Sequence, residues 1–167
     1  MTSQLITSHD DDDARIVALV QAYLDADYRW EQLSEWRHLR VGEAAPAIDD
    51  AFPEATRFGL LSAWNPQSVP RSDADNRSAD QALQFQMVQS GIPCRPAFSS
   101  AQDRSWREPS WLAVGMPTEV FDALAQRFGQ LGTLWWRRGE RLRLRIYAQP
   151  PVAVPHHCFV DWAPPSR

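Results

Sequence analysis

Glu108, Asn65, Asn76 and Gln130 are the residues of this chain best equipped to recognise or transform a small molecule. A carboxylate can serve as general base, metal ligand or acceptor, and each carboxamide offers both a donor and an acceptor. They stand in four short motifs: Ala63-Trp64-Asn65-Pro66, Asn76-Arg77, Glu108-Pro109-Ser110 and Phe128-Gly129-Gln130. Arg77 adds a planar cation suited to a carboxylate or phosphate. Ser68, Ser72 and Ser110 add hydroxyls. Helix N-terminal amides near Ser72 to Asp75 suit an anion, although two aspartates there oppose one. Each of these residues also has a purely structural use. Asn65 can satisfy turn backbone groups before Pro66, and Asn76 can be an ordinary first-turn residue. Glu108 can pair with Arg77 or Arg107, and Gln130 can tie off a helix end.

Hydrophobic spacing sets the elements that must position them. Ile16, Leu19, Val20, Tyr23 and Leu24 recur at helical spacing and predict a helix over about 14–26. Tyr28 to Trp30 and His38 to Val41 suggest a hairpin, with a continued helix through Trp30, Leu33, Trp36 and Leu39 as the alternative. Pro46 to Phe52 suggests a short helical turn. Arg57 to Trp64 is an apolar run stopped by Asn-Pro, as a strand would be. Ser72 with Asp75 resembles a capping box, opening a helix to Ser90 whose buried stripe is Ala79, Leu83 and Met87. Strands near 93–98 and 110–114 follow, then a helix from Thr118 to Phe128. A hairpin of 133–137 and 141–146 turns at Gly139.

This order predicts an α+β domain. Its core is a ferredoxin-like (βαββαβ) antiparallel sheet with two helices on one face, plus an N-terminal helix and an extra C-terminal strand. The expected organisation is a flexible acidic leader at 1–13, a single domain at 14–146 and a proline-rich tail at 147–167. In that topology the first strand ends, the third strand begins and the second helix finishes at one rim. Asn65, Asn76, Arg77, Glu108, Ser110 and Gln130 are therefore expected to converge there as a ligand-binding set.

The same motifs carry a resemblance. The chain resembles a bacterial family known only as a domain of unknown function, whose members share an Ala-Trp-Asn-Pro turn, a following Asn, a Trp-x-Glu-Pro-Ser segment and a Phe-Gly-Gln helix end. Here those are Ala63 to Pro66, Asn76, Trp106 to Ser110 and Phe128 to Gln130. Weaker matches are Tyr23, Tyr28, Leu39 to Glu43 and Pro46. The likeness covers about residues 20–146. It implies that the rim residues belong together and assigns no activity.

Composition narrows the rest. With 167 residues the chain suits one domain. The N-terminus lacks the basic start and apolar stretch of a signal peptide, so a cytoplasmic protein is expected. No apolar run is long enough for a membrane span. All 17 cationic side chains are arginine, and the net charge of −4 disfavours non-specific nucleic-acid binding. Cys94 and Cys158 are too few for a disulfide scaffold. His156, His157, Cys158 and Asp161 are metal-ligand types, but neighbours on an extended chain point apart. The acidic run Asp10 to Asp13 beside His9 reads as a solvated lead-in to a helix rather than a metal site. No cofactor or metal is expected. There is no nucleophile elbow, phosphate loop or dinucleotide fingerprint.

Three functions stay open. One is a binding module for a small polar ligand or a protein partner at the rim. The second is an enzyme using Glu108 as general base or metal carboxylate, with Asp73 or Asp75 as second carboxylate. The third is a nucleic-acid or protein adaptor using the arginine-rich strand 141–145, where Arg141, Arg143 and Arg145 alternate with apolar residues.

Overall fold

The computed structural model describes residues 2–165, with side chains from residue 11 onward. Among them are four α-helices and eight strands in one mostly antiparallel sheet. The helices are α1 (Thr2–Asp25), α2 (Pro46–Ala51), α3 (Asp73–Gln89) and α4 (Thr118–Arg127). The strands are β1 (Asp27–Gln32), β2 (Glu35–Leu39), β3 (Arg57–Leu61), β4 (Cys94–Ser100), β5 (Arg107–Val114), β6 (Gly132–Arg137), β7 (Arg143–Ile146) and β8 (Val160–Trp162). Their order across the sheet is β2-β1-β4-β5-β3-β6-β7-β8. Only the β7–β8 pair is parallel.

Strand alternation sorts side chains onto two faces. Phe58 and Leu60 of β3, Leu112 and Val114 of β5, and Leu134 and Trp136 of β6 form one core with Val20 of α1 and Ile48 of α2. Leu61, Ala113 and Trp135 face the other way, against Leu83 and Met87 of α3 and Phe121 of α4. Helices thus cover both faces: α3 and α4 share one, and α1 with α2 takes the other. On the α4 side, Gly59 leaves room for Phe121; a Cβ there would come within 2.2 Å of the ring.

The expected hairpin over 28–41 is present as β1 and β2, paired from Tyr28↔Leu39 to Gln32↔Glu35, and it extends the sheet beside β4. The Ser72 cap is present too, its hydroxyl accepting from the Asp75 amide at 3.1 Å. Two segments differ from expectation. The helix predicted from residue 14 begins at Thr2, and Asp10 to Asp13 lie inside it rather than ahead of it. The side chain of His9 lies outside the described residues. Within the proline-rich tail, Val160–Trp162 forms β8 alongside β7. Three residues are too few for a period-2 signal; Arg143, two-pronged on Asp161 at 2.7 Å for both contacts, holds this strand in place. Among the described residues, no helix is long and apolar enough to cross a membrane.

Candidate functional site

On the α1 face, the end of β3 and the start of β5 lie side by side, and period-2 alternation turns Leu60, Ser62, Glu108 and Ser110 toward the same space. Between this rim and α1 lies a cavity of about 290 Å³. Tyr23 of α1, Tyr28 of β1, Trp64 and Trp106 contribute aromatic wall. Leu19, Leu60 and Leu131 contribute apolar wall, and Asn65, Glu108, Ser110 and Gln130 the polar side.

The rim is tied by a continuous hydrogen-bond network. Asn65 donates from Nδ2 to Glu108 Oε1 at 2.8 Å. The Asn65 backbone N–H donates to Asn76 Oδ1 at 2.9 Å, and Asn76 Nδ2 donates back to Asn65 Oδ1 at 2.9 Å. Arg71 donates from Nε to Asn76 Oδ1 and from Nη2 to the Ala63 carbonyl, both at 2.8 Å. Gln130 donates from Nε2 to the Trp64 carbonyl at 3.1 Å. Ser62 links the strands by donating to the Pro109 carbonyl at 2.8 Å.

The loop between β3 and α3 has an unusual backbone. Asn65, Gln67 and Ser68 all have left-handed φ, at 44°, 56° and 57°. Non-glycine residues adopt this region at a cost and need surrounding contacts to hold them there. Those contacts come from both sides. The Gln67 amide donates to the Gly129 carbonyl at 2.7 Å. Pro66 lies where a Cβ on Gly129 would come within 2.8 Å, and Gly129 itself has φ +68°. From α1, Arg15 donates to the Gln67 carbonyl and the Tyr23 hydroxyl is hydrogen-bonded to that of Ser68. The Phe-Gly-Gln helix end is therefore a seat for the Asn-Pro loop.

Glu108 is the chemically distinctive member. Among the described residues it accepts one side-chain hydrogen bond, from Asn65, and pairs with no arginine. Burial pushes its carboxyl above the ordinary range, and the Asn65 bond only partly offsets this. Tyr23 and Tyr28 stay neutral beside it, because burial raises both phenols. Tyr28 donates its hydroxyl proton to the Tyr23 carbonyl at 2.6 Å. Among the described residues, the buried Trp64 indole N–H has no acceptor.

The structure thus joins Asn65, Asn76 and Glu108 directly, with Gln130 on the adjoining carbonyl and Ser110 in the same wall. The asparagines spend most of their hydrogen-bonding capacity on each other and on the loop, and Asn65 aims an amide hydrogen at Glu108. Asn76 is only 1 % exposed and lies seven residues before Leu83, on the buried stripe of α3. Arg77 is not brought to the cavity; it is exposed and stands 4.0 Å from Asp73. Asp73 and Asp75 occupy the exposed first turn of α3, Asp75 accepting from the Ser72 hydroxyl at 2.7 Å. Neither reaches the cavity wall. On β7, Arg143 pairs with Asp161 and Arg145 pairs with Asp122, while Arg141, two residues ahead of the strand, donates to the Gly42 carbonyl.

Sequence reasoning missed Arg71, Ser62 and the α1 wall. Tyr23 and Tyr28 carried a signal, as weak matches of the family pattern. Arg71 carried none beyond its place before the Ser72 cap.

Residues 61–132 match the model of a family described as a protein of unknown function (DUF3293). The matched segment holds all four strong motifs and bears out the resemblance to an uncharacterised domain family. Tyr23, Tyr28, Leu39 to Glu43 and Pro46 lie outside it. No curated protein and no solved structure matches the chain.

Proposed function

We propose that this protein is a binding module, and that the cavity between α1 and the sheet rim holds a small polar ligand. One observation carries the reading: the Glu108 carboxylate stands half-buried in a preformed, largely apolar cavity, fixed by a single amide and, among the described residues, left without a counter-charge. A pocket with apolar walls and a few convergent polar groups is the usual form of a ligand site. The left-handed loop at 65–68 supports it, since strained backbone gathers where geometry serves function. In this reading Asn65, Asn76 and Arg71 position the carboxylate. Glu108, Ser110 and Gln130 meet the ligand.

The sheet that supports the rim is read as ferredoxin-like. In support, β3-α3-β4-β5-α4-β6 has the βαββαβ sequence, and its strands lie in the order β4-β5-β3-β6, all antiparallel.

A second reading makes the same pocket catalytic, with Glu108 as general base. Its raised proton affinity and the absence of an arginine partner favour this.

A thermal-shift screen of a small-molecule library tests the binding reading, run on the wild type and Glu108→Gln side by side. The glutamine keeps an acceptor for Asn65 while removing the charge. Compounds that stabilise only the wild type are expected. Compounds that stabilise both proteins equally, or none at all, would overturn the assignment to Glu108.

A further inference from the structure

Taking the rim cavity as the binding site proposed above, we infer that its ligand is an organic monocation: an amine or guanidinium group on a compact apolar body, with the cation on Glu108.

The charge inventory of the cavity carries this. Among the described residues the wall contains one carboxylate and no lysine, arginine or histidine. An anionic ligand would enter without a counter-charge and against Glu108, at a heavy desolvation cost. Among the described residues, the arginines that could have neutralised Glu108 are engaged elsewhere, and Arg77 is exposed beside Asp73. Arg71 is turned onto Asn76 and the Ala63 carbonyl. Arg15 donates to the Gln67 carbonyl. Arg107, adjacent in sequence, lies over the Phe98 ring at 3.9 Å from its centroid. The missing positive charge is thus one that no described residue supplies.

The rest of the wall suits the same guest. Asn65 occupies Oε1 of Glu108 and leaves Oε2 open as a charge-assisted acceptor. Gln130 uses its Nε2 on the Trp64 carbonyl, which leaves its Oε1 as a second acceptor. Tyr23, Tyr28, Trp64 and Trp106 offer aromatic surface, which attracts cations and accepts apolar bodies. Leu19, Leu60 and Leu131 would receive the apolar part.

Benzylammonium, benzyl alcohol and benzoate share one ring and differ in charge. Each would be titrated into 15N-labelled wild type, Glu108→Gln and Glu108→Asp, following the amides of Tyr28, Trp64, Ser110 and Gln130. Benzylammonium is expected to bind the wild type and to weaken about tenfold or more in Glu108→Gln, the loss expected for a charge-assisted hydrogen bond. Glu108→Asp, which keeps the charge, should retain part of the affinity. Benzyl alcohol should bind weakly and equally to the wild type and the glutamine variant, and benzoate should not bind. If benzyl alcohol matches benzylammonium in the wild type, or Glu108→Gln binds the cation undiminished, the cavity is a ligand site but the cation assignment is wrong. If none of the three moves the rim amides, the binding-site reading itself falls with it.

Discussion

Two regions of one sheet treat carboxylates in opposite ways. At the β7–β8 end of the sheet, Asp122 of α4 meets Arg145 with two contacts of 2.7 and 2.6 Å and also accepts from Tyr147 at 2.9 Å. Asp161 meets Arg143 in the same two-pronged manner. These charges are complete within the chain. At the rim beyond β3, Glu108 accepts from one carboxamide and is otherwise left to the cavity. The difference separates structural acid from available acid. A paired carboxylate locks two elements together, whereas an unpaired one in a cavity costs stability, which the proposed ligand would offset. It also bears on the arginine strand. Arg143 and Arg145 alternate with apolar residues, as an exposed basic surface would, but their charges already meet aspartates.

The comparison breaks most severely if the edge pairs prove dispensable. Asp122→Ala leaves the Arg145 guanidinium, whose side chain is 20 % exposed, without a counter-charge and Tyr147 without its acceptor. A loss of about 3 kcal/mol is expected, toward the lower end for a broken buried pair. Urea denaturation measures it, and a loss within error of zero would remove the contrast with Glu108. Asp161→Ala should cost about 1 kcal/mol or less, because that pair is 31 % exposed on both sides.

The scaffold of the rim ranks next. Asn76→Ala deprives both the Asn65 backbone N–H and the Arg71 Nε of their acceptor in a site only 1 % exposed. A loss of about 2 kcal/mol follows from two stranded donors. It should coincide with loss of ligand-dependent stabilisation, because Asn65 then no longer aims at Glu108. Arg77→Ala is the matched control. Its guanidinium is exposed and only 4.0 Å from Asp73, so a change within about 0.5 kcal/mol is expected. Equal losses from both would mean that Asn76 is one more helix residue rather than the pivot of a network.

These residues also show how far the sequence could be read. Chain order alone brought Asn65, Asn76, Glu108 and Gln130 to one rim, because crossover topology fixes which strand and helix ends are neighbours. The buried face of α3 was legible from Ala79, Leu83 and Met87; that Asn76 shares this buried stripe, seven positions before Leu83, came only with the structure. Side-chain direction was not legible. Arg77 stands beside Asn76 in sequence yet points to solvent, and Arg71, before the cap, supplies the cation of the network. Nor could spacing show which sheet face α1 would cover. That choice places Tyr23 over Gly132, where a Cβ would meet the ring at 2.9 Å, and it closes the cavity. β8 escaped for a different reason: its place is set by Asp161 meeting Arg143 across the sheet, a long-range pairing without a local pattern.

The pH dependence of Glu108 is the most diagnostic effect, because it has the unusual sign. Burial raises the Glu108 carboxyl, so the folded protein keeps this proton at pH values where the unfolded chain has released it. The stability contributed by the protonated form is complete below the unfolded value, about pH 4.3, and is lost as pH rises toward the folded one. Glu108→Gln has no such proton to lose. Tyr23 and Tyr28, the titratable groups that face it, stay neutral throughout because both phenols are pushed upward. The variant should therefore match the wild type at pH 4 and exceed it near neutral pH, by a gap that opens with rising pH. Urea denaturation across that range reads it directly. A gap that is constant with pH, or a variant weaker than the wild type at neutral pH, would show that Glu108 belongs with Asp122 and Asp161 as a structural acid. A gap that opens in buffer and narrows when benzylammonium is added would show the carboxylate being completed from outside.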